Sequence, residues 1–149
     1  MKYNISIKAE KKNLKKVRTF LENIFAQMQV PEVERNQLIL VVDEILANLI
    51  IHSAKSDMQK DIDISLSENA GEVTFEIYDY NSPYFDLTQH EDANLQDLKK
   101  QKRKGGMGLT LVKNIMDEVE VSYEDNTNIW RLQKKLPFLI LKKSKNTYE

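Results

Sequence analysis

The sequence predicts an α+β protein: a two-layer α/β sandwich with helices on one face of a mixed, mainly antiparallel sheet. Three observations carry this. Short segments alternate apolar and polar residues with a period of two, as in Ile62, Ile64 and Leu66 and again in Val73, Phe75 and Ile77. Between such segments lie two blocks with helical periodicity. The resulting order, β-α-α-β-β-α-β-β with a long irregular stretch before the third helix, places the helices between hairpins.

Tyr3, Ile5, Ile7 and Ala9 alternate with polar residues and predict the first strand. A helix comes next, with Leu14, Val17, Leu21, Ile24 and Met28 on one stripe, Phe25 beside it and Asn13 at the N-cap. Val30-Pro31 breaks it, and Pro31 suits the first turn of a second helix running to about Ser53. Polar residues 54–60 read as a loop before the second strand. Glu68-Asn69-Ala70-Gly71 is a turn, with Gly71 free to take positive φ, and the third strand completes a hairpin. Asp79 continues the inward parity of that strand, so its carboxylate falls on the apolar face.

From Tyr80 to Lys104 regular structure is not evident beyond a short helix near Ala93–Lys99, and such a length of chain inside a compact domain suggests a lid or binding loop. Gly105-Gly106-Met107-Gly108 then leads into a helix with Leu109, Val112, Ile115 and Met116 on one side. Val119, Val121 and Tyr123 form a fourth strand, Glu124–Asn128 a turn, and Ile129 to Leu136 a fifth strand stopped by Pro137. One domain over residues 1–141 and a frayed polar tail over 142–149 are expected.

Bulk composition excludes several classes. The 149 residues hold 22 basic and 23 acidic side chains, a net charge of −1, so no global attraction to nucleic acid or to anionic lipid arises. The chain has no cysteine, which removes disulfides and thiolate chemistry. No signal-peptide core opens it, and no apolar run approaches the roughly 18 residues of a membrane span. A cytoplasmic protein without nucleic-acid or membrane partners is expected.

Three segments carry chemistry. In the second helix Glu44, Asn48 and His52 recur four apart within an otherwise apolar stretch, so they stack on one face. That face is either a solvated stripe or one wall of a polar cleft. The strand ending at Asp79 supplies an inward carboxylate able to accept a hydrogen bond from an exocyclic amine such as that of adenine. Three of the chain's four glycines cluster at Gly105, Gly106 and Gly108, after the basic run Lys102-Arg103-Lys104. Glycines before a helix let backbone N–H groups approach a phosphate. An Asn oxygen suits Mg²⁺, which keeps waters and bridges phosphates, and a neighbouring Glu can act as a general base. Together these parts specify a nucleoside triphosphate site better than any one does. His52 and His90 form no metal constellation, and Trp130 reads as core.

These residues carry a resemblance. Glu44-Ile45-Leu46-Ala47-Asn48-Leu49-Ile50-Ile51-His52 looks like the N-box of the GHKL ATPase superfamily. Asp79-Tyr80-Asn81-Ser82-Pro83-Tyr84-Phe85-Asp86 resembles its first glycine box, and the stretch from Gly105 to Val119 its second. The segments Asp117–Val121 and Asn128–Leu132 are similar to the bacterial anti-sigma factor serine/threonine kinases of that superfamily. The resemblance implies a Bergerat-type, histidine-kinase-like ATP-binding fold holding ATP and Mg²⁺ under a lid. It implies Glu44 as catalytic base and Asn48 as Mg²⁺ ligand. Nucleotide contacts would come from Asn48, Asp79, Asn81, Lys104, Gly105, Gly106, Met107, Gly108 and Leu109, with Asp79 reading adenine. Asn81 departs from the box's usual glycine, and Asn is the residue that best tolerates left-handed backbone after glycine.

The resemblance further implies a kinase that phosphorylates a STAS-domain anti-sigma factor antagonist in a partner-switching pathway. A sigma factor as second partner and a homodimer are additional expectations. Two alternatives stay open: a catalytically inactive binding module of the same fold, and the detached ATP-binding domain of a histidine kinase.

Overall fold

A computed structural model describes residues 1–53, 59–83, 106–137 and 139. Strand β1 (Lys2–Ile7) is followed by a 3-10 turn at Lys11–Asn13 and helices α1 (Leu14–Gln27) and α2 (Glu32–Ser53). Then come β2 (Ile62–Asn69), β3 (Glu72–Asp79), α3 (Gly106–Ile115), β4 (Glu118–Glu124) and β5 (Thr127–Lys135). The strands form one sheet in the order β1-β2-β3-β5-β4. Each of its four pairings is antiparallel, so the sheet is antiparallel throughout the described residues.

The period of two decides the layers. Ile62, Ile64 and Leu66 on β2 and Val73, Phe75 and Ile77 on β3 are buried, and register pairs Phe75 with Leu132 and Ile77 with Trp130 on the same face. The helices cover that face. One core joins these side chains to Val17, Leu21 and Phe25 of α1, to Leu38, Val41, Val42, Ile45, Leu46, Leu49 and Ile50 of α2, and to Leu109 and Val112 of α3. The rings of Phe25 and Phe75 meet edge to face, 6.2 Å between centroids at 84°.

Helix α2 is 22 residues long, and by length and composition it is apolar enough to cross a membrane. Here it is the central core helix, with Leu38, Val41, Val42, Ile45, Leu46, Leu49 and Ile50 buried. Ion pairs Arg18–Asp43 at 2.7 Å and Arg35–Glu22 at 3.0 Å tie it to α1.

Several local expectations are adjusted. Asn13 occupies the N-cap position of α1, but its Nδ2 donates to Lys8 O at 2.9 Å and no side-chain cap forms. Helix α1 instead ends in a full Schellman pattern. Gln29 sits at φ 58°, its N–H donates to Ala26 O, and that of Val30 donates to Phe25 O. Both hairpin turns hold two residues at positive φ, Ala70 and Gly71 at 52° and 82°, Asp125 and Asn126 at 51° and 60°. This mirror-image turn matches the strand twist, so β5 begins at Thr127 rather than Ile129. The short helix expected near 93–99, the basic run 99–104, His90 and the tail 142–149 lie outside the described residues.

Candidate functional site

Helix α3 begins at Gly106, so Gly106, Met107 and Gly108 form its first turn rather than a loop before it. The first four N–H groups of a helix lack intrahelical acceptors. Gly108 has a second property. A β-carbon built on it would lie 2.6 Å from Oε2 of Glu44 and 3.5 Å from Cδ. With the Glu44 carboxylate where it stands, position 108 has no room for a side chain. Leu109, one residue on, turns into the core at 7% exposure, so only its backbone faces the helix end.

Glu44 and Asn48 lie one turn apart on α2 and are both half-buried, whereas His52, a further turn on, is exposed. The polar face of α2 is therefore a partly covered wall at Glu44 and Asn48 and open surface at His52.

Asp79 ends β3 on the inner face and is 1% exposed. Its Oδ1 accepts a hydrogen bond from the backbone N–H of Asn81 at 3.0 Å. Its Oδ2 is buried and has no hydrogen-bond partner among the described residues. A buried carboxylate oxygen left unpaired is costly, and such groups mark places where a ligand completes the bonding. An oxygen so placed can accept a hydrogen bond from an N–H or O–H donor.

Asn81 is half-buried, and its side chain is already engaged. Its Oδ1 accepts from Lys60 N–H at 2.6 Å, and its Nδ2 donates to Lys60 O at 2.8 Å. Asn81 is not among the described residues at positive φ. The left-handed backbone expected of it is not used, because its amide finds a tertiary partner instead.

On the sheet's outer face Tyr80 donates to Asp63 Oδ2 at 2.7 Å, and Ser6 donates to Asp63 Oδ1 at 2.6 Å. Burial and the bond to the carboxylate of Asp63 push the Tyr80 phenol up to about 12. Burial, with the bond to Glu76, raises that of Tyr78 as well.

One residue of this region escaped the sequence reading. Asn128 pairs with Asp79 across β3 and β5 and is 1% exposed. Its Nδ2 donates to Pro83 O at 2.8 Å and Ser82 O at 3.3 Å. The parity argument that singled out Asp79 applies equally to Asn128, which leads the inward series Asn128, Trp130, Leu132.

Direct contact thus joins Glu44 of α2 to Gly108 of α3, and the sheet places Asp79 at the end of β3. Lys104 and Gly105 lie outside the described residues. Among the described residues no group of three or more His, Cys, Asp or Glu is placed to hold a metal ion.

The family profile described as histidine kinase-like ATPase domain matches residues 7–134. Anti-sigma F factors of Bacillus thuringiensis (strain Al Hakam) and Bacillus cereus (strain AH187) are each 29% identical over 118 residues, covering 79% of this chain and 80% of theirs. Among solved structures, a chain of the SiaB–SiaC complex from Pseudomonas aeruginosa aligns with a TM-score of 0.65 at 14% identity, over 90% of this chain and 88% of that one.

Proposed function

Since the chain belongs to the histidine kinase-like ATPase domain family, we propose that it binds ATP with Mg²⁺ and acts as a serine/threonine protein kinase. In this reading it is an anti-sigma regulatory factor of a partner-switching pathway, and its substrate is a STAS-type antagonist. The observation that carries the reading is the approach of Gly108 to Glu44, which sets a carboxylate beside the N-terminus of α3. The likeness to anti-sigma F factors supports the regulatory role.

Each residue then has a task. The unpaired Oδ2 of Asp79 accepts the exocyclic N–H of adenine. Backbone N–H groups at the start of α3, from Gly106 to Leu109, receive phosphate oxygens. Asn48 would hold Mg²⁺ through its amide oxygen, and the ion would offset the charge of the phosphates. Bound ATP and its metal supply an electrophilic γ-phosphorus with its charge partly neutralised. Glu44 takes the proton of the incoming hydroxyl as the new O–P bond forms and ADP departs.

A binding-only module would be favoured if the Asn81 side chain filled the place of the base. The Lys60 backbone occupies that amide, which lessens the case for a blocked base pocket. Incubation with γ-labelled ATP and a STAS-type protein from the same organism tests the reading: label on a serine or threonine is expected. Calorimetry of Mg²⁺-ATP supplies the control. Micromolar binding without transfer to a bound partner would leave the inactive module standing.

A further inference from the structure

We propose that Asn81 is a positioning residue that holds Asp79 ready for a nucleobase carrying an exocyclic amino group, and so sets how strongly the site prefers such a base. This rests on the reading above, in which Asp79 meets the base.

The two oxygens of Asp79 are treated differently. Oδ1 is held by the N–H of Asn81, the side-chain-to-backbone bond of an Asx turn, while buried Oδ2 has no partner among the described residues. The direction of the unpaired oxygen therefore depends on where the Asn81 backbone stands. That backbone lies two positions beyond the last residue of β3, so the sheet ladder does not fix it.

Side chains fix it instead. Asn81 forms a two-bond ring with Lys60, accepting from its N–H at 2.6 Å and donating to its O at 2.8 Å, as an extra strand residue would. On one side of it Tyr80 is anchored to Asp63 at 2.7 Å. On the other, Asn128 holds Pro83 O at 2.8 Å. A turn pinned at these points keeps Oδ2 pointing one way before any ligand arrives. Affinity is gained by lowering the ordering cost of binding. Only the Asn81 clamp acts on the residue whose N–H touches Asp79.

The chemistry of the base gives a readout that simple destabilisation would not move. Adenine places an amino donor where inosine has a carbonyl oxygen, so ATP can use a fixed Asp79 Oδ2 and ITP cannot. Mg²⁺-ATP and Mg²⁺-ITP are titrated calorimetrically into the full chain and into Asn81→Ala and Asn81→Ser, with circular dichroism confirming each fold. The wild type is expected to favour ATP by about tenfold or more, the worth of one hydrogen bond to a charged acceptor. Both variants are expected to lose most of that preference, ATP affinity falling several times more than ITP affinity. If the variants keep the wild-type preference, or lose ATP and ITP affinity equally, Asn81 does not position Asp79, while adenine recognition itself stands. If the wild type does not distinguish the two nucleotides, or binds neither, the assignment of Asp79 fails and this proposal falls with it.

Discussion

Oε2 of Glu44 lies 2.6 Å from the point where a β-carbon on Gly108 would stand. Real β-carbons do not come so close to a carboxylate oxygen. The two residues therefore constrain one another: the helix end stays where it is because position 108 is bare, and the carboxylate is aimed by the helix end.

Gly108→Ala should separate folding from activity. The obstructed atom is the tip of a flexible side chain, so the Glu44 carboxylate can rotate away and the thermal midpoint should change little. A displacement of about 1 Å at a reacting group can reduce rate on the order of a hundredfold. Phosphoryl transfer is expected to fall by about that factor. Unaltered transfer would remove Glu44 from the reaction.

Glu44→Ala is the companion. Loss of a general base is expected to reduce transfer by about 10²- to 10⁴-fold while calorimetry still detects Mg²⁺-ATP. If transfer persists at the wild-type rate, the base lies elsewhere.

Asp79→Asn should affect binding and stability in opposite directions. A charge 1% exposed with one unpaired oxygen is a liability to the empty fold. The neutral amide removes that charge, so the melting temperature without nucleotide should hold or rise. ATP affinity should fall by about tenfold or more. A variant that melts lower and binds ATP as before would contradict both parts.

Tyr80 predicts an alkaline effect. Its folded value of about 12 lies above the ordinary 10, so the fold favours the protonated phenol. The stabilisation is complete below pH 10 and is lost as pH rises from there through about 12. Wild-type stability should therefore fall across that window, and Tyr80→Phe should fall less. The variant should also lack the latest step in a tyrosinate absorbance titration.

Phe75 tests the core. It is fully buried at the centre of the sheet and meets Phe25 edge to face. Phe75→Ala is expected to cost about 3–5 kcal/mol in chemical denaturation. A cost under about 1 kcal/mol would mean the core closes around the gap.

Much of this was legible in sequence because it depends on local period. Alternation in β3 gave both the inner face and the orientation of Asp79, and α2 declared itself by an apolar stretch interrupted only at Asp43, Glu44 and Asn48. The glycine cluster marked the start of α3. What could not be read depends on distant neighbours. The clamp between Asn81 and Lys60 joins residues 21 apart, and that between Asn128 and Pro83 residues 45 apart. Asn13 looked like a cap because its position was right, but Lys8 O was nearer to hand. An amide side chain has several partners of similar worth, and the fold chooses among them.

Strand β5 is inserted between β3 and β4, although it is made after both. A nascent chain that has left the ribosome only as far as residue 126 already carries Glu44, Asn48, Asp79 and Gly108. It has nothing yet to zip onto β3, so Phe75 and Ile77 line a raw edge of the kind that recruits other polypeptides. Asp79 also lacks Asn128 across from it until β5 is made. The inner end of β3 is thus completed only by a strand made after every other element of the sheet.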